Sequence, residues 1–477
     1  MSDHPLEEIL HPRSIAIAGA SNAGRGAGFL TPLLGNNFKG ELYPVNPKYD
    51  EVMGLKAYAR VRDIPGILDY VISSIPAAGV LDLIADCEEK NVKCIHLFTA
   101  RFSETGRKDA AELEQEILRR AQAAGIRLIG PNCLGLYHPK MGIAFNDNMP
   151  KESGSIGLAS QSGGGAGEII GFADPRGMRF SKAISYGNAL DFNECDYLEY
   201  FIQDSETEVI LMYIEGLRDP RRFAHVLREA TAVKPVVILK GGRGSAGTRA
   251  TASHTGSMAG TQKLFDSMVK QAGAVQVADT EEMVDVAMGF SFSPPIIGRR
   301  TAVAGASGGG SVWAADLCEE AGLDVIPLPQ SIRDEFKRLG NPVWDWIGNP
   351  ADFSISMGER EQTAEIMQMM AAHPDFDLLL MFLSGPWRGP GRKLVGNVNI
   401  EDHMKQYKLR DIAGKPLVLI FQERPMGPPV KDTDKLEAIM NEMREWLVKN
   451  KIPSYPSIKR AANTAAKVIE YYERKPA

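Results

Sequence analysis

The stretch Ser14-Ile15-Ala16-Ile17-Ala18-Gly19-Ala20-Ser21 decides the fold class of this chain. The small and apolar residues at its start predict a buried strand, and the Gly-Ala-Ser that follows predicts a tight turn into a helix. The same succession starts again at Ser155–Ala159 with Gln161–Gly165, and at Thr301–Ala304 with Gly305–Gly310. Between these starts, short apolar runs alternate with longer amphipathic stretches, which is typical of parallel sheets built from βα units.

Other short apolar runs, bounded by Gly, Pro and Asn, extend this alternation along the chain. The strands predicted from them are Glu41–Val45, Tyr70–Ser74, Cys94–Phe98 and Arg127–Ile129 in the first region, Glu208–Ile214 and Pro235–Leu239 in the second, and Asp377–Leu383 and Pro416–Phe421 in the third. Helices are predicted over Ala77–Lys90 and Lys108–Ala124, and the two prolines of Ser291–Arg300 indicate a linker. We therefore expect three α/β domains, over residues 1–145, 146–293 and 298–477, of which the first is Rossmann-like.

The composition is that of an ordinary globular protein, with 44% hydrophobic and 24% charged residues among 477. A net charge of −6 provides no basic field, so neither nucleic acid nor an anionic membrane is an expected partner. The acidic start MSDHPLEEIL lacks a signal sequence, and no apolar run reaches the roughly 20 residues that span a bilayer, so we expect a cytoplasmic protein. The five cysteines show neither CxxC nor His/Cys metal spacing, which predicts free thiols and no metal site.

The first Gly-rich turn is a candidate phosphate site, because backbone N–H groups at the start of a helix can approach an anion closely. A dinucleotide dehydrogenase usually carries an acid after its second strand, where it binds the ribose hydroxyls. Here the strand Glu41–Val45 runs into Asn46, Pro47 and Lys48. The lysine disfavours a nicotinamide oxidoreductase and favours a ligand with additional phosphate. The alternatives are tight βα packing at the glycines and an ordinary surface lysine.

The loop Gly130–Gly135 follows the last predicted strand of the first region. Ligands of open parallel sheets bind beyond the carboxyl ends of the strands, so we expect this loop to line a crevice beside the second region. Cys133 lies in the loop, but no His/Asp arrangement in the sequence supports a nucleophilic role, which favours a packing thiol.

A long run of small residues over 240–260 contains His254, flanked by Ser253 and Thr255. Of the eight histidines, only His254 lies in such a loop. Long loops with little apolar surface are usually functional or disordered. A neutral imidazole nitrogen can accept a phosphoryl group and later return it. The alternative is a histidine that only hydrogen-bonds in a turn.

Phosphoryl transfer through His254 needs cations or helix N-termini beside it, and a group that fixes the imidazole tautomer. Lys240, Arg243 and Arg249 are the candidate cations, and the turn Gln161–Gly165 is the candidate helix N-terminus. Glu215, at the end of the strand Glu208–Ile214, is the candidate partner of the imidazole. The alternative for Glu215 is an exposed acid at a strand end.

The run Ala250–Gly260, which reads Ala-Thr-Ala-Ser-His-Thr-Gly-Ser-Met-Ala-Gly, resembles the phosphohistidine loop of the nucleoside-diphosphate-forming acyl-CoA synthetases. This family includes the ADP-forming acetate–CoA ligases and, more distantly, succinyl-CoA synthetase. Further matches, in the same order along the chain, are Ser14–Ser21, Val45–Lys48, Gly130–Gly135, Ser160–Gly164, Ser185–Asn188 and Asn349–Asp352. The resemblance covers nearly the whole chain and is to the alpha-subunit type.

The resemblance implies a Rossmann-like CoA-binding domain followed by two flavodoxin-like, succinyl-CoA synthetase-like domains. The CoA-binding residues that it implies are Gly19, Ser21, Asn46, Pro47, Lys48, Ile75, Pro76 and Asn132. It implies a phosphate held by Ser162, Gly163 and Gly164, catalysis by His254 and Glu215, and no metal ligand in this chain. The implied enzyme is an acid–thiol ligase that interconverts carboxylate, CoA and ATP with acyl-CoA, ADP and phosphate, through an acyl phosphate and a phosphohistidine.

The resemblance also implies a hetero-oligomer with an ATP-grasp beta subunit that binds ATP or ADP and Mg²⁺, since we find no further α/β segment of about 200 residues after the third region. A small carboxylic acid is the other expected substrate. Arg101 departs from the family pattern, which usually has glycine there, and Trp344 and Trp346 add bulk beside Asn349–Asp352. The alternative function is a non-catalytic regulatory protein that binds CoA or acyl-CoA, in which His254 would be incidental.

Overall fold

A computed structural model describes residues 4–24, 27–249, 262–341, 344–352, 360–383, 387–388, 393–394, 399–405, 407, 409, 414–421 and 433–475. The chain divides into two compact units, Met1–Val284 and Asp285–Ala477, and each is considered by itself. His254 and its neighbours 250–261 lie outside the described residues.

A five-stranded parallel sheet, in the order β2-β1-β5-β6-β7, forms the first half of the unit Met1–Val284. Its strands are β1 (Ser14–Ala18), β2 (Glu41–Val45), β5 (Tyr70–Ser73), β6 (Cys94–Leu97) and β7 (Arg127–Ile129), and the short hairpin β3 (Glu51–Val52) and β4 (Leu55–Lys56) follows β2. Ile15 and Ile17 enter one hydrophobic cluster, whereas Ala16 and Ala18 enter another. Both faces of β1 are therefore covered, which is why its sequence is apolar without alternation.

A six-stranded sheet, in the order β13-β12-β11-β9-β10-β8, forms the second half of this unit. Its strands are β8 (Gly135–Tyr137), β9 (Ile156–Ser160), β10 (Phe180–Ser185), β11 (Val209–Ile214), β12 (Val236–Lys240) and β13 (Val275–Val277). All neighbours are parallel except β8, which pairs antiparallel with β10. The edge strand β8 thus joins the second sheet, although it precedes residue 145.

The unit Asp285–Ala477 contains a four-stranded parallel sheet in the order β14-β15-β18-β19 and a short antiparallel pair, β16 and β17. These strands are β14 (Thr301–Ala304), β15 (Leu378–Phe382), β16 (Trp387–Arg388), β17 (Lys393–Leu394), β18 (Leu417–Ile420) and β19 (Ser454–Tyr455). One hydrophobic cluster, which includes Leu379, Met381 and Leu419, forms its core.

Helices connect the strands in both units. Their bounds are Leu6–Leu10, Leu30–Gly35, Val80–Glu89, Lys108–Ala123, Gly163–Ala173, Glu194–Gln203, Pro220–Val233, Gln262–Gln271, Thr280–Phe292, Gly308–Glu320, Gln330–Arg338, Arg360–Ala372, Ile400–Lys405, Thr433–Lys449 and Ile458–Glu473. Among the residues that the structure describes, no helix combines the length and apolar composition required to cross a membrane.

Each strand and helix that was predicted matches a described one to within one or two residues, with two local differences, whereas β8, β10, β13 and β19 were not predicted. The predicted helix Ala77–Lys90 begins as a 3-10 turn over Ala77–Gly79, and the predicted linker from Ser291 starts later, because a helix continues to Phe292. Propensity fixes where such elements lie, but their ends depend on capping contacts that the sequence pattern does not contain.

His96 is a buried histidine of β6 whose protonation opposes folding. It is 1% exposed, its Nε2 lies 3.1 Å from the carbonyl oxygen of Cys133, and Gly135 packs against its ring. Burial lowers the pKa of His96 from 6.5 to about 4. As the pH falls, the unfolded chain therefore binds this proton at a higher pH than the folded protein does. The free energy of unfolding has its full value above pH 6.5, and protonation of His96 lowers it progressively down to pH 4.

We expect this histidine to remove about 3 kcal/mol from the free energy of unfolding between pH 7 and pH 4. His96→Leu should reduce the loss by that amount, because leucine does not titrate. Denaturant unfolding followed by circular dichroism at pH 7, 5.5 and 4 measures the difference. Parallel pH profiles for the two proteins would show that His96 is not the group responsible.

Candidate functional site

The carboxyl edge of the first sheet brings together the loops after β1, β2 and β5, which are neighbouring strands. After β1 the chain adds β2 on one side of it and later β5 on the other, so this is the topological switch point where open α/β sheets bind ligands. Gly19 follows β1 with a φ of +91°, and a Cβ there would lie 2.9 Å from the carbonyl oxygen of Ser74. Only glycine allows the loops after β1 and β5 to approach this closely.

The loop after β2 is fastened to the Gly19 turn. The side-chain amide of Asn46 donates to the carbonyl oxygen of Ala20 (2.8 Å), and its Oδ1 accepts the N–H of Lys48 (3.0 Å). Pro47 and Lys48 are exposed. The Lys48 ammonium is therefore carried by a braced turn at the rim of the switch point, where it can meet an anion.

The remaining predicted CoA residues lie around the same edge. The Ser21 hydroxyl donates to the carbonyl oxygen of Ala23 (2.6 Å), and half-buried Ile75 packs beside Gly19 and precedes exposed Pro76. Asn132, two strands further along, donates its N–H to the carbonyl oxygen of Thr99 (3.0 Å). The Thr99 hydroxyl in turn donates to the carbonyl oxygen of Ile75 (2.9 Å), which links the loops after β5, β6 and β7.

The second sheet has its own switch point between β9 and β11, and Gln161 ties the two strand ends together. The side-chain oxygen of Gln161 accepts the backbone N–H groups of Glu215 and Gly216, and its amide donates to the carbonyl oxygen of Gly216 (3.0 Å). Glu215 is 6% exposed, and the Tyr213 hydroxyl donates to its Oε1 (3.3 Å). The alternative of an exposed strand-end acid is therefore wrong, because Glu215 is a buried carboxylate.

The helix Gly163–Ala173 begins at the same switch point. Ser162 caps it, since its hydroxyl accepts the N–H of Gly165 (3.1 Å). Gly163 packs against Leu134, because a Cβ there would lie 2.7 Å from the leucine Cγ, and Gly164 is exposed. The unpaired N–H groups of this first turn are the natural ligands of a phosphate or carboxylate.

The predicted cations have other partners in the structure. Lys240 is 5% exposed and donates to the carbonyl oxygens of Glu215 (2.7 Å) and Gly241; burial lowers its pKa. Arg243 donates to the carbonyl oxygen of Ala278, and Arg249 to that of Ser245 (3.2 Å). Residues 245–249 are helical rather than a loop. Lys240 therefore braces the strand ends and does not line an open anion site.

A hydrogen-bonded chain connects the loops that follow β6, β10 and β11, and no pattern in the sequence predicts it. Glu104 accepts the backbone N–H groups of Arg101 and Phe102 and the side-chain amide of Asn188 (2.8 Å). The carbonyl oxygen of Asn188 accepts from the Arg218 guanidinium, and the Arg218 backbone N–H donates to Glu194 (2.6 Å). Arg101, where the family usually has glycine, has a φ of +80°.

The third Gly-rich turn, in the unit Asp285–Ala477, is occupied by a carboxylate. A Cβ on Gly308 would lie 3.0 Å from Oδ2 of Asp352, which places this acid at the start of the helix Gly308–Glu320. Asn349 accepts the N–H of Val303 and donates to the carbonyl oxygens of Thr301 and Ile326, all at 2.8 Å. Because an acid already faces the positive helix end, this turn is disfavoured for phosphate.

The five cysteines are all buried and none forms a disulfide. Cys133 is 4% exposed, its sulfur lies 3.7 Å from the carbonyl oxygen of Leu97, and burial raises its pKa. A buried, protonated thiol is a poor nucleophile, which supports the interpretation of Cys133 as a packing residue.

Gln161→Leu tests how far one amide organises the second switch point. We expect a loss of about 3 kcal/mol or more in the free energy of unfolding, because two buried N–H groups and one carbonyl lose their partner. Chemical denaturation measures the change. Gln115→Leu, at an exposed position of the helix Lys108–Ala123, is the matched control and should change stability by less than about 0.5 kcal/mol. Equal effects of the two substitutions would contradict the role of Gln161.

Sequence comparison places the two halves of the first unit in known families. Residues 13–139 match a CoA binding domain, and residues 153–290 match a succinyl-CoA ligase like flavodoxin domain. The fold and its two switch points therefore define a CoA-binding α/β protein of the succinyl-CoA ligase type.

Relatives across the whole chain narrow this class. The chain is 31% identical over 466 residues to acetate–CoA ligase (ADP-forming) II subunit alpha of Pyrococcus furiosus, a match that covers 98% of this chain and 97% of that one. It is 36% identical over 352 residues to acetate–CoA ligase (ADP-forming) of Methanocaldococcus jannaschii, and this match covers 73% of the chain but only 49% of the relative. The chain belongs to the family of ADP-forming acetate–CoA ligases, which confirms the predicted family.

A solved structure supports the same assignment. The dinucleotide-forming acetyl-coenzyme A synthetase 1 of Ca. Korarchaeum cryptofilum, in complex with phosphate and ADP, superposes with a TM-score of 0.82 at 30% sequence identity. The match covers 98% of this chain and 97% of that chain. The predicted α/β fold class is thereby confirmed.

Proposed function

We propose that this chain is the alpha subunit of an ADP-forming acyl-CoA synthetase that carries a phosphoryl group on His254. The observation that supports this most is the second switch point, where a capped helix N-terminus and the buried carboxylate of Glu215 follow neighbouring strands, and Gln161 binds the backbone of Glu215. The helix N-terminus suits a phosphate oxygen, and a carboxylate suits the N–H of an imidazole. A phosphohistidine needs both environments, one for its phosphoryl oxygens and one for its imidazole N–H.

The proposed reaction has three reversible steps. A carboxylate takes the phosphoryl group from phosphohistidine to give an acyl phosphate, the CoA thiol displaces phosphate to give the thioester, and the nucleoside triphosphate rephosphorylates His254. In each step Ser162, Gly163 and Gly164 would hold the phosphoryl oxygens, while Glu215 would keep the imidazole nitrogen opposite the phosphorus protonated. In this scheme the phosphoryl group is transferred to the carboxylate, and later released as phosphate, beside the same helix N-terminus.

CoA binding is proposed for the first switch point, within the domain expected over residues 1–145. Gly19, Ser21, Asn46, Pro47, Lys48, Ile75, Pro76 and Asn132 are its proposed contacts. The close approach at Gly19 brings the loops after β1 and β5 together, and exposed Lys48 adds a positive charge beside them. The hydrogen-bonded chain from Glu104 to Glu194 would hold the loop after β6, to which Ile75 and Asn132 are bonded through Thr99, in a constant position relative to the phosphoryl site in the domain 146–293.

A partner subunit is proposed to supply the nucleotide site. The Pyrococcus furiosus relative is itself a subunit alpha, whereas the chain spans about half of the Methanocaldococcus jannaschii enzyme. We propose an ATP-grasp beta subunit that binds ATP or ADP with Mg²⁺, and a hetero-oligomer located in the cytoplasm. A small carboxylic acid is the proposed substrate, and a screen of acids with the reconstituted pair would identify it. The family membership disfavours a purely regulatory CoA-binding role.

Labelling with γ-³²P-ATP, Mg²⁺ and the partner subunit tests the proposal. We expect label on this chain that is stable to base and lost in acid, as for a phosphohistidine, and discharged by addition of the acid substrate with CoA. Absence of label on the wild-type chain, with an active partner, would defeat the proposal.

Lys48→Ala should raise the KM for CoA by about tenfold or more, because a charged contact to phosphate contributes about 1.5–3 kcal/mol. Labelling of His254 should change much less, since CoA takes no part in that step. Initial rates at varied CoA and single-turnover labelling measure the two quantities. Lys56→Ala, on the neighbouring hairpin strand β4, is a matched control for loss of one surface charge. Equal loss of CoA affinity and labelling in Lys48→Ala would contradict the separate roles of the two switch points.

A further inference from the structure

Two histidines and a glutamate that are far apart in the sequence meet in the unit Met1–Val284. His11 follows the first helix, His138 follows β8, and Glu206 precedes β11. One potential ligand atom from each lies within 4.8 Å of the other two. Because β8 runs antiparallel to β10, this cluster lies toward the amino ends of the parallel strands, away from Glu215. We propose that His11, His138 and Glu206 form a zinc-binding site.

Both imidazoles are oriented as metal ligands usually are. Nδ1 of His138 lies 3.0 Å from the carbonyl oxygen of Leu10, and Nδ1 of His11 lies 2.8 Å from that of Glu7. A carbonyl only accepts, so in each ring the proton resides on Nδ1 and the lone pair on Nε2. A metal-bound histidine typically donates its other N–H to a backbone carbonyl or carboxylate in this way.

The Nε2 atom of His138 is the observation that points to a ligand. The side chain is fully buried, and among the described residues Nε2 has no hydrogen-bond partner. Oε2 of Glu206, at 3.9 Å, is too far for a hydrogen bond. A cation at this position would give Nε2 the partner that it lacks, whereas the carboxylate of Glu206 already accepts from Lys140 and Lys182.

The surrounding charges are compatible with a divalent cation. Glu206 accepts from Lys140 and, at 2.6 Å, from the buried ammonium of Lys182, so a metal ion has to share this carboxylate with Lys182. Lys182 is balanced by Asp204, whose Oδ2 lies 3.0 Å from its ammonium. Glu7 places a further carboxylate 3.6 Å from Nδ1 of His11. The Lys140 side chain is 61% exposed and can move into solvent when a metal ion binds.

The donor set selects zinc among the common divalent ions. Two imidazoles and one carboxylate suit Zn²⁺, whereas Mg²⁺ and Ca²⁺ prefer oxygen ligands. Tetrahedral Zn²⁺ with bonds of about 2.0–2.1 Å needs ligand atoms about 3.3–3.5 Å apart, so the cluster must contract by about 1 Å. His11 and Glu206 are half-buried and can supply this movement. Partial exposure of His11 leaves a fourth position for water.

Zinc at this position would fasten the N-terminal segment to the second sheet. The helix Leu6–Leu10 already packs Leu6, Ile9 and Leu10 into the hydrophobic cluster that both sheets share. His11 ends that helix, and Glu206 belongs to the turn before β11. The ion would therefore stabilise the unit from the side opposite to the phosphoryl site, and this inference does not depend on the proposed enzymatic function.

The test uses the full-length chain without a histidine tag, stripped with chelator and exchanged into metal-free buffer. Titration with Zn²⁺ in a calorimeter should give one site per chain, and Co²⁺ should give the intense visible absorption of a tetrahedral site. Saturating Zn²⁺ should raise the unfolding temperature by at least about 2 °C.

His11→Phe and Glu206→Gln should each weaken Zn²⁺ binding by about tenfold or more. His11→Phe keeps an aromatic ring against His138, whose centroid lies 4.9 Å away, and both positions are half-buried, so these variants are expected to fold. His225→Ala removes an exposed histidine that pairs with Glu229 elsewhere and should bind Zn²⁺ like the wild type. No stoichiometric binding by the wild type, or equal binding by all four proteins, would overturn the proposal.

Discussion

Replacing His254 with alanine is expected to abolish phosphorylation of this chain, with a loss of at least about 1,000-fold in the rate of labelling by ATP and the partner subunit. The alanine side chain has no atom that can form a bond to phosphorus. Covalent phosphoryl transfer cannot proceed without a nucleophile, so no other interaction compensates for the lost imidazole. In the proposed mechanism the switch point at Gln161 and Glu215 holds the phosphoryl group, and only His254 forms a bond to it. Single-turnover labelling with γ-³²P-ATP measures the effect, and acyl-CoA formation should fall in parallel.

His225→Ala is the matched control for this substitution. His225 is exposed on the helix Pro220–Val233 and pairs with Glu229, so its loss should leave labelling unchanged. The position of the His254 loop lies outside the described residues, so circular dichroism and the unfolding temperature should accompany the assay. Undiminished labelling of His254→Ala would show that another residue carries the phosphoryl group.

Glu215→Gln should slow phosphorylation of His254 by about 100-fold or more. Glutamine keeps the size of the side chain but removes the charge that stabilises an imidazole carrying a proton opposite the phosphorus; removal of such a charge from a histidine pair costs up to about 10⁴-fold. The backbone of Glu215 is held by Gln161, so the strand end should stay in place. Rapid-quench labelling gives the rate, and KM for CoA should change little.

A matched variant separates this effect from a general loss of carboxylate. Glu168→Gln alters an exposed acid on the helix Gly163–Ala173, whose carboxylate accepts from Thr280. We expect it to label at nearly the wild-type rate. Similar rates for Glu168→Gln and Glu215→Gln would remove Glu215 from the proposed chemistry.

Much of the candidate site follows from sequence because it uses local signals. Gly19, Asn46 and Lys48 sit directly after predicted strands, and parallel strands place their carboxyl ends on one edge. The hydroxyl of Ser162 accepts the N–H of Gly165, three residues later, so this cap is a contact within one helical turn. Such features depend on the order of residues along a short stretch, and pattern rules capture them.

Other features were not predicted, because they depend on which strands become neighbours. The sequence predicts Lys240 as a cation beside the phosphate, but the pairing of β11 with β12 buries it against the carbonyl oxygen of Glu215. The chain of contacts from Glu104 through Asn188 to Arg218 joins residues from three separate βα units. No periodicity relates these positions, so only the folded arrangement could identify them.

The sequence by itself determined the alternation of strands and helices, the glycine turns and the family. Each of these depends on short stretches of contiguous residues, whose backbone preferences or motifs are local. The tertiary structure alone decided that Glu215 is a buried acid held by Gln161, and that His11, His138 and Glu206 meet. The physical reason is that a strand of a few residues specifies its own conformation but not its neighbours in the sheet. Long-range contacts are set by the burial of apolar surface over the whole unit, to which each side chain contributes only a small part.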